Sequence, residues 1–179
     1  MSTGILSFLI NKFFIFKKIN DIFLINYRKL LYQLIIKGGI FMMKVLVFIA
    51  EGFEEIEALT VVDILKRADI QCDMCSITSN KEVIGAHNIS VKADKILEDI
   101  KATEYSALVI PGGMPGATNL RDNNKVINLV KEFNKDKKLI AAICAGPIVL
   151  SKANIIKGKE VTSYPGFEND LKEGIYKKI

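Results

Sequence analysis

Histidine occurs once in these 179 residues and cysteine three times, and no uninterrupted apolar run is long enough to span a bilayer. Each scarcity removes a class of function. His87 lies alone in the polar stretch "GAHNIS", where a loop histidine reads as solvated and no zinc set can be assembled around it. Three cysteines, an odd number without a secretion signal, point to a reducing cytoplasm rather than a disulfide scaffold. Cys72 and Cys75 form a C-x-x-C, but "IQCDMCSIT" alternates like a strand. Residues three apart in a strand face opposite ways, which argues against a shared metal or a thioredoxin-like pair.

Acidic residues are scarce in one place only. Residues 1–42 hold six of the 25 basic side chains and a single acid, Asp21, leaving 19 of each sign in 43–179. The basic balance of the whole chain therefore belongs to its first segment, and the remainder has no character that calls for specific nucleic-acid binding. That segment contains no Ala and no Val. Its apolar runs ("GILSFLI", "FFIF", "IFLI", "LLYQLII") are cut by charges, so none is a membrane span. No small-residue cleavage site follows a single apolar core, so a signal peptide is a poor fit. The lysines leave an interfacial amphipathic anchor open. The preferred reading is codon bias, because Ile, Phe, Lys, Asn and Tyr are the residues of A/T-rich codons. "KGGIFMM" also back-translates to a purine-rich stretch ahead of a start codon. Translation is expected to begin at Met42 or Met43, with 1–42 an extension outside the native fold and 43–179 the domain.

From Lys44 the pattern is regular. "KVLVFIA" (44–50) reads as a buried strand, 54–68 as an amphipathic helix with acids in its first turn, and 70–78 as a second strand. A hairpin-like excursion follows, then a strand (105–113) entering the glycine-rich loop "GGMPGATNL", a helix (124–137), the strand "KLIAAIC", the helix "PIVLSKANII" and a strand (159–164). Strands alternating with helices at this spacing predict an α/β fold with a parallel sheet covered on both faces. Reactive groups in such sheets gather at the carboxyl ends of the strands. "LKEGIYKKI" at 171–179 offers no obvious strand or helix.

In "LIAAICAGPIVL" a strand runs into Cys144 and a helix starts at once with Pro147. That is the setting of a nucleophile elbow. Unpaired N–H groups and the positive helix end are expected to pull the thiol pKa below that of a free cysteine. The competing reading is a small buried residue at a tight corner. Glu57 lies in line with Val61, Ile64 and Leu65. A carboxyl on an apolar face is costly unless protonated or paired, and burial raises its pKa. A protonated carboxyl can donate a hydrogen bond to a thiolate. Glu54 and Glu55 read as ordinary first-turn acids. The "PGGMPG" loop, with Gly112 and Gly113, supplies backbone N–H groups that can stabilise an oxyanion.

Together "FIAEGFEEIEALTVVDILKRA", "VIPGGMPGATNL" and "LIAAICAGPIVL" resemble the ThiJ/PfpI (DJ-1) family, and within it the DJ-1-like branch. The resemblance implies a flavodoxin-like three-layer sandwich related to class I glutamine amidotransferases, and a homodimer. It implies Cys144 as the reactive cysteine, Glu57 as the acid that hydrogen-bonds it, and Gly113 with Ala145 as the backbone pair facing it. Two departures stand out. Where the branch carries a histidine near the cysteine this chain has Tyr164, followed by Pro165, bordering the expected pocket, and where the peptidase-like branch has a histidine after the cysteine it has Ala145. With His87 elsewhere no Cys–His dyad forms, which argues against a cysteine protease. The family also continues into further strands and a final helix, so the chain resembles a member cut short.

The activity implied is that of a cofactor-independent enzyme of the glyoxalase III or deglycase type. Its partners would be small reactive aldehydes or glycated protein and nucleotide adducts, and its setting cytoplasmic, with no membrane. The alternative is a redox-sensing or chaperone-like stress protein in which Cys144 is oxidised and held by Glu57 without turnover. A third reading is an inert remnant.

Overall fold

In "KVLVFI" every residue from Val45 onward is buried, as a strand covered on both faces requires. The computed structural model describes residues 43–178; the start site and the extension fall outside the described residues. In chain order the elements are β1 (Lys44–Ile49), α1 (Glu55–Arg67), β2 (Gln71–Ser76), the hairpin strands β3 (Glu82–Ile84) and β4 (Ser90–Lys92), β5 (Lys95–Ile96) and β6 (Ala107–Ile110). Then come α2 (Gly116–Asp122), α3 (Asn124–Lys135), β7 (Leu139–Ala142), α4 (Pro147–Lys152), β8 (Glu160–Val161) and β9 (Ile175–Tyr176).

The main sheet runs β5-β2-β1-β6-β7 with every pairing parallel. β1 is central, matching Lys44 to Gln71 on one side and Val45 to Ala107 on the other. Period-two alternation divides its side chains between two cores. Leu46 and Phe48 join Leu108, Ile110, Val130, Phe133 and Ile148 under α3 and α4. Val45, Val47 and Ile49 join Val109 with Ala58 and Val62 of α1 and Val83 of the hairpin. The result is the expected flavodoxin-like sandwich, helices on both faces of a parallel sheet. Cys75 falls in the first core and Cys72 packs against the second, so the C-x-x-C pair does face opposite ways.

Local chemistry explains the element starts. Asn123 caps α3, its side-chain oxygen accepting from the N–H groups of Lys125 and Val126 at 2.9 and 3.2 Å. Pro147 opens α4, where its missing N–H costs nothing. Three expectations are corrected. Residues 116–120, read as the end of the glycine-rich loop, instead open helix α2, which begins at Gly116 just after Pro115. The strand expected at 159–164 is only β8, two residues long. The terminal stretch read as featureless contributes β9, paired in parallel with β8. No helix among the described residues is long and apolar enough to cross a membrane.

Candidate active site

β7 ends at Ala142, α4 begins at Pro147, and Cys144 occupies the turn with φ of 58°. A left-handed backbone is uncommon for a residue with a Cβ and costs about 1–2 kcal/mol. The surroundings hold it there. Ile143 N–H donates to Ile110 O at 3.2 Å, Gly146 N–H to Ile143 O at 2.8 Å, and Tyr164 N–H to Cys144 O at 2.9 Å. Gly146 permits the turn, because a Cβ there would stand 2.6 Å from Ile110 O.

Glu57 reaches the turn from α1. Its Oε2 accepts the Gly112 N–H at 2.7 Å, a short charge-assisted bond. A Cβ on Gly112 would meet Cys144 Cβ at 2.8 Å, Glu57 Oε2 at 2.8 Å and Ala145 N at 3.0 Å. The cysteine, the carboxyl and the Ala145 amide therefore converge on one point at the end of β6. Gly113, at φ of 83°, lies against the Phe53–Glu54 backbone, and Glu54 N–H donates to Gly112 O at 3.1 Å. This locks the glycine turn to the start of α1.

The expected low thiol pKa is overturned. Burial pushes the half-buried Cys144 thiol up, and the Glu57 charge and its hydrogen bond push it further; the N–H groups of Ala145 and Gly113 act the other way but do not win. A carboxylate beside a thiol penalises the thiolate more than two amide dipoles favour it. Glu57 and burial together thus disfavour ionisation of the Cys144 thiol.

The face of α1 that carries Glu57 does pack, Val61 and Leu65 lying against the core, but the most deeply buried residues of the helix are Glu55, Ala58 and Val62. Glu57 is half-buried, and the deeply buried acid is Glu55, 5 % exposed. It is held by His87, whose N–H donates to Oε1 and whose Nδ1 meets Oε2, both at 2.8 Å. Sequence reasoning treated both residues as bland. The available signal was Gly85, two positions before His87, where a Cβ would run into the Glu55 carboxylate. One ligand atom each from Glu54, Glu55 and His87 lies within 4.8 Å of the others, a grouping that the loop reading of His87 did not foresee. Glu55 and His87 nevertheless already occupy each other.

Tyr164 does not offer its hydroxyl to the thiol. Its side chain is 61 % exposed, Pro165 is exposed too, and its contribution is the backbone bond to Cys144 O. Two surface recesses, of about 410 Å³ lined by Asn80, Lys81, Glu82, Ser90 and Lys92 and about 220 Å³ beside α3, include neither Cys144 nor Glu57.

The profile of the DJ-1/PfpI family matches residues 43–179. The DJ-1 homolog B of Arabidopsis thaliana is 33 % identical over 129 residues, 72 % of this chain and 30 % of its own length. A protein named as a deglycase from Pyrococcus horikoshii is 33 % identical over 129 residues, covering 72 % of this chain and 76 % of the relative. A solved structure of a DJ-1 superfamily protein from Salmonella typhimurium superposes with a TM-score of 0.73 at 32 % identity, covering 77 % of this chain and 75 % of that one. The chain thus spans under a third of the Arabidopsis protein and about three quarters of the other two.

Proposed function

This chain belongs to the DJ-1/PfpI family, and on that premise we propose that it is a cofactor-independent cysteine enzyme acting on reactive carbonyls, of the glyoxalase III or deglycase type. The observation that carries the reading is the convergence of Cys144, Glu57 and the Ala145 amide on Gly112. The deglycase name of the Pyrococcus relative supports the substrate class.

The steps balance on methylglyoxal and water. As the Cys144 sulfur bonds to the aldehyde carbon, its proton passes to Glu57, and the carbonyl electron pair moves to oxygen beside the Ala145 and Gly113 amides. Glu57 returns that proton to the oxygen, giving a hemithioacetal. Glu57 then removes the proton from the former aldehyde carbon to give an enediolate; the hydroxyl proton on that carbon's oxygen passes to the neighbouring oxygen, and Glu57 delivers its own proton to the neighbouring carbon, leaving a lactoyl thioester. Water cleaves the thioester, releasing lactate and restoring the thiol. Residues 43–179 are the working domain in this reading, with 1–42 outside it, and a cytoplasmic homodimer is its form.

The test is lactate formation from methylglyoxal by the wild type, Cys144→Ala and Glu57→Gln, with folding checked by circular dichroism. Loss of turnover in a folded Cys144→Ala is expected. Equal turnover in both would refute the assignment. Selective oxidation of Cys144 by mild peroxide with no turnover in the wild type would favour the redox-sensing alternative, for which the half-exposed thiol is the supporting observation.

A further inference from the structure

Glu55 and Ser76 are the buried polar side chains among the described residues. A carboxylate removed from water needs full pairing, and a single residue of another element supplies it. His87 meets both Glu55 oxygens at 2.8 Å, one through its backbone N–H and one through Nδ1.

The surrounding backbone shows what that pairing fastens. Gly52 N–H donates to Ile84 O at 2.8 Å and Ala86 N–H to Phe53 O at 2.9 Å. Glu51 accepts from Ile84 N–H at 3.3 Å with each oxygen. The loop between β1 and α1 is therefore laid along the end of the β3–β4 hairpin. Its opposite side holds the glycine turn, through Glu54 N–H to Gly112 O at 3.1 Å and Gly116 N–H to Gly52 O at 3.2 Å. At about 100° per residue, Glu55 and Glu57 leave α1 about 200° apart. One acid is anchored in the hairpin, and the other reaches Gly112 and Cys144.

We propose that Glu55 and His87 form a clamp that positions the Glu57 carboxyl and the Gly112–Gly113 turn against Cys144. They are positioning residues for the carbonyl reaction, on which the inference rests for its catalytic readout though not for its geometry. The electrostatics agree. Burial raises the Glu55 pKa, but the His87 hydrogen bonds and charge, with a hydrogen bond from Glu55's own backbone, together hold the carboxyl below its ordinary value. The Glu55 hydrogen bond and the Glu54 charge lift His87 above its own. Glu54 Oε1 lies 3.7 Å from Nδ1 and Glu51 faces the hairpin backbone, whereas Glu82 is taken by the Ser90 hydroxyl and Lys81 by Asp94 O. The ionised clamp is complete between the lowered Glu55 value and the raised His87 value.

The experiment uses the whole chain as wild type, His87→Ala, His87→Asn and Glu55→Gln. His87 is 66 % exposed in its side chain, so its replacement opens no cavity in the apolar core, and the backbone N–H bond to Glu55 Oε1 remains. Iodoacetamide labelling of Cys144 is followed by peptide mapping from pH 6 to 9, and methylglyoxal turnover is measured in parallel. A loosened Glu57 favours the thiolate but shuttles protons poorly. His87→Ala should therefore label at least about twofold faster at pH 7 and turn over at least about twofold slower. His87→Asn, whose amide can occupy the place of Nδ1, should stay near wild type, and Glu55→Gln should follow His87→Ala. A Cys144 labelling profile in both His87→Ala and Glu55→Gln that matches wild type, with only the melting temperature changed, overturns the clamp. Altered labelling in a protein without turnover keeps the clamp and refutes the carbonyl reading. Cys144-dependent turnover with unaltered labelling does the reverse.

Discussion

Gly112→Ala puts the smallest probe at the point where the site's groups meet. The glycine is not in the left-handed region, so the cost is one of space alone. The new Cβ would stand 2.8 Å from Cys144 Cβ and from Glu57 Oε2, where carbon atoms settle at about 3.5–4.0 Å. Neighbours must retreat by roughly 0.7 Å or more. Overpacking of this kind costs about 1–3 kcal/mol. If the carboxylate is what moves, its bond to Gly112 N–H weakens, and a bond to a charged group is worth about 1.5–3 kcal/mol. A total of about 2.5–6 kcal/mol lowers the melting temperature by about 10–24 °C in a domain of this size. Gly158→Ala is the control. Nothing lies within 4 Å of that Cβ and φ is 69°, so only the backbone term of about 1–2 kcal/mol applies. Thermal melts and the pH midpoint of Cys144 alkylation are measured on both variants. Gly112→Ala should melt lower and shift the midpoint, while Gly158→Ala should leave the midpoint alone. Equal melts and an unmoved midpoint in both would refute the packing argument.

Two further outcomes are expected. Cys75 is fully buried and its thiol is pushed up to about 12, by burial first and then by the charges of Glu98, Asp73 and Asp99; peptide mapping after alkylation of the folded protein should find it unmodified while Cys144 reacts. Asp73→Asn should cost about 1–3 kcal/mol at neutral pH, seen in urea unfolding, because Lys44 and Tyr105 both lie 2.7 Å from its carboxylate. Burial raises that carboxyl but the Lys44 and Tyr105 hydrogen bonds bring it below its ordinary value. Its contribution is therefore present above the unfolded value of about 4 and lost as pH falls through the folded one. The gap between wild type and Asp73→Asn should narrow in acid.

The sheet was legible because "KVLVFI" and "ALVI" are strands covered on both faces, and such burial leaves uninterrupted apolar runs. The elbow was legible from the absence of any loop between "LIAAI" and "PIVL". What escaped were contacts between residues far apart in the chain. Helical spacing placed Glu57 in line with Val61 and Leu65, which do pack, but gave no sign that Glu55 is the more deeply buried acid. Nothing within "GAHNIS" shows that His87 meets a carboxylate 32 positions earlier. The thiol pKa went wrong for a related reason: the helix-start amides are local and visible, whereas the opposing charge of Glu57 arrives from another element. Tyr164 kept its place beside Cys144 but through its backbone, a distinction that residue type cannot carry.

The central claim is that Cys144 and Glu57 act as one proton-sharing pair, and the pH profile of Cys144 alkylation in wild type against Glu57→Gln tests it directly. The amide keeps the shape of the carboxyl and removes the charge that disfavours the thiolate. The account predicts that the midpoint in Glu57→Gln moves to lower pH while aldehyde turnover falls. A midpoint that stays where the wild type has it would mean that the carboxyl does not govern the thiol, and would contradict the account.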